Sequence, residues 1–233
     1  MSGHGAVIVG VGGLGAPAAA ALAASGAVRL GLIDGDVVEP SNLPRQPLYG
    51  TGDLGERKVD VAARRLRARH PDLQIEARHA RVEPASAEHL LAGFDVIVDG
   101  TDSLASKDLL NATALALGTP LVHAGALGLD GQLMTILPGR TTCLRCLFPE
   151  LPPDDDMPSC QQAGILGPVV GAIGLVAASE AAKVLSGRTP ALLDRLAILD
   201  GARWRWRSVE LRPNPRCPAC DAARSSAPGP RAS

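Results

Sequence analysis

The run Ala6-Val-Ile-Val leads directly into Gly10-Val-Gly-Gly-Leu-Gly15, and this junction restricts the fold more than any other feature of the chain. A short apolar run ending in glycine reads as a buried strand, and the Ala-rich segment Gly13 to Ser25 that follows has helical spacing. Glycines at Gly10, Gly12, Gly13 and Gly15 let the backbone approach phosphate closely, and the start of the helix offers free amide donors. A second apolar run, Val28 to Asp34, ends in a carboxylate about 20 residues further on, the spacing that ribose recognition requires.

The alternation continues. A charged helix is expected over Glu56 to Arg69, a strand near Gln74 to Val82, a helix near Ala85 to Leu91, and a buried strand over Asp95 to Gly100. A helix over Leu104 to Leu117 and a strand over Pro120 to Ala126 follow. This order predicts an α/β fold, Rossmann-like, with a mostly parallel sheet and helices on both faces. After Gly131 the texture changes: QLMTILP, RLAILDG and the period-two segment Arg203 to Leu211 read as further strands, which makes the sheet mixed. Residues 1–221 are expected to form one domain, with a loop at Leu151 to Ser159 and a disordered tail over 222–233.

Composition narrows the partners. Lys plus Arg is 23 against 24 for Asp plus Glu, which leaves no bulk charge for holding nucleic acid or an anionic membrane. Aromatic residues are 2%, so the core must come from Ala, Val, Leu and Ile. The alternating Arg203, Arg205 and Arg207 with Trp204 and Trp206 read as a strand with one basic and one apolar face rather than a base-stacking platform. Ala163 to Ser179 carries no charge but is interrupted by Gly167-Pro168 and is shorter than a bilayer span, so a buried helix is expected. The N-terminus shows no signal-peptide pattern, and a cytoplasmic location is expected.

Four of the five cysteines form two C-x2-C pairs, Cys143 with Cys146 and Cys217 with Cys220. In a reducing compartment such pairs favour a shared metal over disulfides, and four thiolates make a closed, structural shell suited to zinc. The alternatives are a redox C-x-x-C or two unrelated pairs. The fifth, Cys160, stands just before the Gly-led apolar helix. It reads either as a reactive thiol stabilised by the helix dipole or as an inert buried one.

The glycine motif alone equally suits a nicotinamide-dependent oxidoreductase. The residues after Asp34 add to it: Asp36, Asn42, Arg45, Gln46 and Lys58. The chain has only three lysines and builds its solvated faces with arginine, as at Arg64, Arg65, Arg67 and Arg69. Taken by itself, Lys58 is a surface residue; at a helix start near the crevice it suits a point-charge contact with phosphate. The end of the strand Asp95 to Gly100 delivers Thr101 and Asp102 to the sheet edge where open α/β folds bind ligands. A carboxylate beside polyphosphate suggests Mg²⁺. His123, after a buried strand, is expected to be packed rather than catalytic.

Taken in order, GVGGLG, Asp34-x-Asp36, SNLPRQ, Lys58, DGTDS, the two C-x2-C pairs and CQQAGILGPVVGAIG resemble the ThiF/MoeB/HesA family, bacterial relatives of ubiquitin-activating enzymes. The resemblance spans nearly all of residues 5 to 221. It implies ATP-dependent adenylation of the C-terminal Gly-Gly of a ubiquitin-like sulfur-carrier protein, giving an acyl-adenylate and pyrophosphate. By matching position, Gly12 lies at the α-phosphate, Asp34 holds the ribose, Asn42, Arg45 and Lys58 hold phosphates, Asp102 holds magnesium, and Ser103 touches the nucleotide where many relatives have Asn. It also implies a homodimer, a separate persulfide donor, and in some members a thioester or acyl-disulfide at the position of Cys160. Relatives carry a helical arm with an arginine ahead of the first strand, where this sequence has MSGH. A substitute arginine, a second polypeptide or slower adenylation is then expected.

Overall fold

In the computed structural model, residues 4–152, 164–217 and 219–220 are described. Cys160 and most of the expected Leu151 to Ser159 loop fall outside them, as does the expected tail. Eight strands form one sheet in the order β3-β2-β1-β4-β5-β6-β7-β8. The strands are β1 (Gly5–Val9), β2 (Arg29–Ile33), β3 (Gln74–Arg78), β4 (Val96–Asp99), β5 (Leu121–Leu127), β6 (Asp130–Ile136), β7 (Arg195–Asp200) and β8 (Arg205–Glu210). The first five run parallel, and β6, β7 and β8 join antiparallel. The sheet is therefore mixed, as the change of texture after Gly131 predicts.

The central strands are apolar throughout because both faces are covered. Every residue of β1 and β4 is buried. Helices α1 (Gly15–Ala24), α2 (Lys58–Arg69) and α6 (Gly167–Leu185) cover one face. Helices α3 (Ala87–Leu91), α4 (Leu104–Leu117) and α5 (Leu144–Leu147) cover the other, together with the cysteine cluster. The order reverses between β1 and β4, so a crevice opens there at the carboxyl ends of the parallel strands.

Helix α6 is long and apolar enough to cross a membrane, yet it lies against α1 and the sheet. A Cβ at Gly174 would run into the Leu14 carbonyl, so this glycine is what lets the two helices approach. The same helix carries a buried carboxylate, Glu180. It accepts from Thr135 Oγ1 at 2.9 Å, from the amides of Ala191 and Leu192 at 3.1 and 2.9 Å, and from Lys183 at 2.5 Å. Glu180 thus fastens the segment before β7 to the helix. Strand β8 forms within the expected Arg203 to Leu211 segment. All six of its residues are exposed, because it is the edge strand and no described element covers either face, so the tryptophan side is not buried.

Burial raises the Glu180 carboxyl, but the hydrogen bonds from Lys183, Leu192, Ala191 and Thr135 outweigh it and hold the group below its ordinary 4.5. A folded value below the unfolded one means stability present above pH 4.5 and lost as pH falls through the folded value. Glu180→Gln should therefore be less stable than the parent at pH 7, by about 1–3 kcal/mol. The gap should narrow below pH 4.5, as checked by urea denaturation across pH.

Candidate functional site

The glycine turn is shaped by two constraints that only glycine meets. Gly10 has φ +82°, and a Cβ there would lie 2.7 Å from the Gly100 carbonyl oxygen. A Cβ at Gly15 would strike the Gly10 carbonyl. Gly12 differs: a Cβ on it would meet only the flexible Gln46 amide, at 3.3 Å, which leaves the space above it open to a ligand. The turn is pinned from two sides. Asp34 accepts from the Val11 amide at 2.7 Å and from the Asp36 amide at 2.8 Å. Tyr49, the only tyrosine, donates its hydroxyl to the Val11 carbonyl at 2.7 Å.

The crevice beyond this turn has a volume of about 800 Å³. Gly10, Gly12, Gly13, Asp34, Asp36, Asn42, Arg45, Gln46, Lys58 and Asp102 all line it. Gly15 and Ser103 do not. Gly15 sits inside the turn, and Ser103 Oγ caps α4 by accepting from the Ser106 amide at 3.1 Å. Ser103 faces a second cavity instead.

Lys58 is not the surface residue its type suggests: it is 5% exposed. Its Nζ lies 3.0 Å from Asp36 Oδ2, while Asp36 Oδ1 accepts from Arg81 at 3.1 Å. Burial raises the Asp34 carboxyl, against the opposing charge of Lys58. Gln46 is 3% exposed, and its Oε1 has no partner among the described residues. Arg45 donates to the Ser41 carbonyl at 2.7 Å, and Asp102 is exposed. Open space over Gly12 and the Arg45 and Lys58 cations fit a phosphorylated nucleotide, while the Gln46 Oε1 suits a donor such as a ribose hydroxyl or a base amine.

Below Asp102 lies a group that sequence reasoning missed. Asp99, wholly buried at the end of β4, accepts from Lys107 Nζ at 3.2 and 3.3 Å, from Thr101 Oγ1 at 2.6 Å and from the Thr101 amide at 3.0 Å. It also meets His123 Nδ1 at 2.8 Å. Burial alone would raise Asp99, but the Lys107 charge and the His123 and Thr101 hydrogen bonds drive it far below the usual carboxylate range. Lys107 donates further to the carbonyls of Thr101 and Ala124, at 2.7 and 2.6 Å. The strand end, the Thr101-Asp102 turn and α4 are thereby locked together. The rarity of lysine was the available signal for Lys107, as it was for Lys58.

The four paired cysteines converge, with all their Sγ atoms within 4.8 Å of one another. Individual separations are 3.5, 3.7 and 3.9 Å. A tetrahedral ion with ligands at about 2.3 Å needs sulfurs roughly 3.8 Å apart, so the cluster fits a zinc-sized ion. Burial pushes the Cys143 thiol up to about 11, a penalty that a bound cation would offset. The knuckle is tied to α4, since Arg145 makes two 2.7 Å bonds to Asp108 and the Leu144 amide donates to Asn111 at 3.0 Å.

This fold and crevice define a class, the doubly wound α/β proteins with a glycine-turn anion site at a switch point and a separate four-cysteine knuckle. The chain belongs to the ThiF family, whose model matches residues 3–219. It is 43% identical to the sulfur carrier protein ThiS adenylyltransferase of Escherichia coli, covering 92% of this chain and 84% of that one. It is 41% identical to the SAMP-activating enzyme E1 of Haloferax volcanii, covering 92% and 79%. Among solved structures, E. coli MccB superposes with a TM-score of 0.84 at 22% identity, covering 94% of this chain and 67% of that one, which shows the shared fold.

The two buried lysines differ in what their loss leaves behind. Lys58→Met exposes only a half-solvated Asp36 and should change stability by about 1 kcal/mol or less. Lys107→Met strands the buried Asp99 charge and should cost about 3–5 kcal/mol. Urea denaturation of the two variants in parallel checks the contrast.

Proposed function

We propose that the protein is an adenylyltransferase that spends ATP to activate the C-terminal Gly-Gly carboxylate of a small ubiquitin-like sulfur-carrier protein. The observation that carries this reading is the convergence of Gly12, Asn42, Arg45, Gln46, Lys58 and Asp102 on one crevice, away from the cysteine knuckle. Names of relatives at 41 and 43% identity, one an E1 and one an adenylyltransferase of ThiS, support it. The cysteine knuckle and the SNLPRQ stretch disfavour a nicotinamide-dependent oxidoreductase, and Arg45, Lys58 and Asp102 on one crevice disfavour a second alternative, a non-catalytic scaffold that binds a ubiquitin-like partner.

The reaction suits these residue types. A carboxylate oxygen of the carrier bonds to the α-phosphorus, the bond to the α–β bridging oxygen breaks, and pyrophosphate leaves with the electron pair. The nucleophile arrives already ionised, so no general base is required. The protein's task is to align two anions and to offset the charge growing at phosphorus. Gly12 would cradle the α-phosphate, Asp34 would hold the ribose, and Asn42, Arg45 and Lys58 would hold the phosphates, with Asp36 and Gln46 lining the same crevice. Asp102 would hold Mg²⁺, which supplies charge neutralisation. Zinc would occupy Cys143, Cys146, Cys217 and Cys220 as a structural ion, in keeping with a reducing, cytoplasmic setting. A homodimer and a persulfide donor belong to the same reading. So does a covalent role for Cys160, which a Cys160→Ser variant with full sulfur loading of the carrier would remove.

ATP–pyrophosphate exchange should depend on both magnesium and a Gly-Gly-terminated carrier, and Lys58→Ala should lower kcat by about 10²-fold or more. Binding of NADH with no exchange would overturn the reading. Elemental analysis should find one zinc per chain, and Cys217→Ser should lose it with a fall in Tm.

A further inference from the structure

Tyr49 is buried among the helices on the α1 and α2 side of the sheet and does not line the crevice above the glycine turn. It closes the short turn that begins at Gln46, its amide donating to the Gln46 carbonyl at 3.0 Å. The two ends of that turn meet the glycine turn at adjacent residues. Gln46 Nε2 would lie 3.3 Å from a Cβ on Gly12, and the Tyr49 hydroxyl donates to the Val11 carbonyl at 2.7 Å. Burial, reinforced by the Asp34 charge, raises the phenol above its ordinary 10.0, so the hydroxyl keeps the proton that it donates.

What this bond fixes follows from the geometry of one peptide unit. The Val11 carbonyl and the Gly12 N–H belong to the same trans peptide, so they point in opposite directions. Tyr49 holds the carbonyl on the buried side, which turns the Gly12 N–H the other way. Gly12 lines the crevice, whereas Val11 and Tyr49 do not. Among the described residues nothing accepts from that N–H. Asp34 does not fix this unit, because it holds the Val11 N–H, which belongs to the preceding one. Turning the Val11–Gly12 unit changes only Val11 ψ and Gly12 φ, and glycine accepts the new angle at little steric cost. The Tyr49 hydroxyl is thus the restraint on the direction of this one donor.

We propose that Tyr49 is a positioning residue whose hydroxyl, by holding the Val11 carbonyl, keeps the Gly12 N–H aimed into the crevice at a phosphate. The inference rests on the reading of the crevice as an ATP site and adds a requirement to it. Preference for the phosphorylated nucleotide over the bare nucleoside depends on a side chain that touches neither.

Tyr49→Phe keeps the ring and removes the one donor. Calorimetric titration with ATP and magnesium, without a carrier, and competition by adenosine read both affinities in the absence of turnover. The variant should bind ATP about 10-fold more weakly and adenosine as the parent does. In the parent protein the Gly12 amide proton should move downfield on addition of ATP but not of adenosine, and in Tyr49→Phe that movement should shrink. An unchanged ATP affinity, an equal loss for ATP and adenosine, a Gly12 amide that ATP does not move, or no ATP binding by the parent would each overturn the assignment. Pyrophosphate exchange with an unchanged ratio of the two affinities would overturn this inference alone. The expected ratio without any carrier-dependent exchange would overturn the adenylation reading and leave this one standing.

Discussion

The charge on Asp99 is the constraint around which the site is assembled. A carboxylate with no exposed surface is tolerable only when its oxygens are matched, and here a lysine, a threonine and a histidine do so from a helix, a turn and a strand. Each of those partners lines a cavity. Thr101 precedes Asp102, Lys107 stands between two cavities, and His123 lines one of them. Neutralising one buried anion thus fixes the relative placement of everything above it, and it does so without relying on exposed ion pairs, which salt weakens.

Helix α4 carries that order across the molecule. Its N-terminal turn is capped by Ser103 and anchored by Lys107; one residue further on, Asp108 grips Arg145 of the cysteine knuckle, and Asn111 holds the Leu144 amide. The knuckle is therefore not an appendage. Residues from the two ends of the second half of the chain meet at the four sulfurs, and the helix they rest on is the one that orients the Asp102 turn.

Much of the fold was legible in the sequence because period and punctuation agree along it. The runs Ala6 to Gly10, Val28 to Asp34 and Asp95 to Gly100 each end at a glycine or an acid, helices α1 and α4 begin within a few residues of the first and last of them, and the structure returns most elements to within a few residues of their expected bounds. The glycine turn, Asp34 and the crevice-lining set from Asn42 to Lys58 were legible for the same reason, since they are local in sequence. What escaped is tertiary. Asp99 looked like one more strand residue until Lys107 and His123, distant in sequence, were brought against it. Ser103 was read as a nucleotide contact, whereas the geometry turns it to cap α4. Lys58 read alone as solvent-exposed, and only the fold shows it covered. The alternation in β8 correctly marks a strand, but alternation says how side chains divide between two faces and not whether anything lies over either one.

The pairing of Lys58 with Asp36 has a consequence for energetics. The ammonium already has a resident anion, itself shared with Arg81. In the proposed reaction an incoming phosphate would compete for the lysine rather than simply collect it, so the free energy gained would be a difference between two ion pairs. The pairing keeps a cation ordered and desolvated, and on the proposed reading it would also soften the grip on the departing product, since the displaced carboxylate would wait nearby to reclaim its partner.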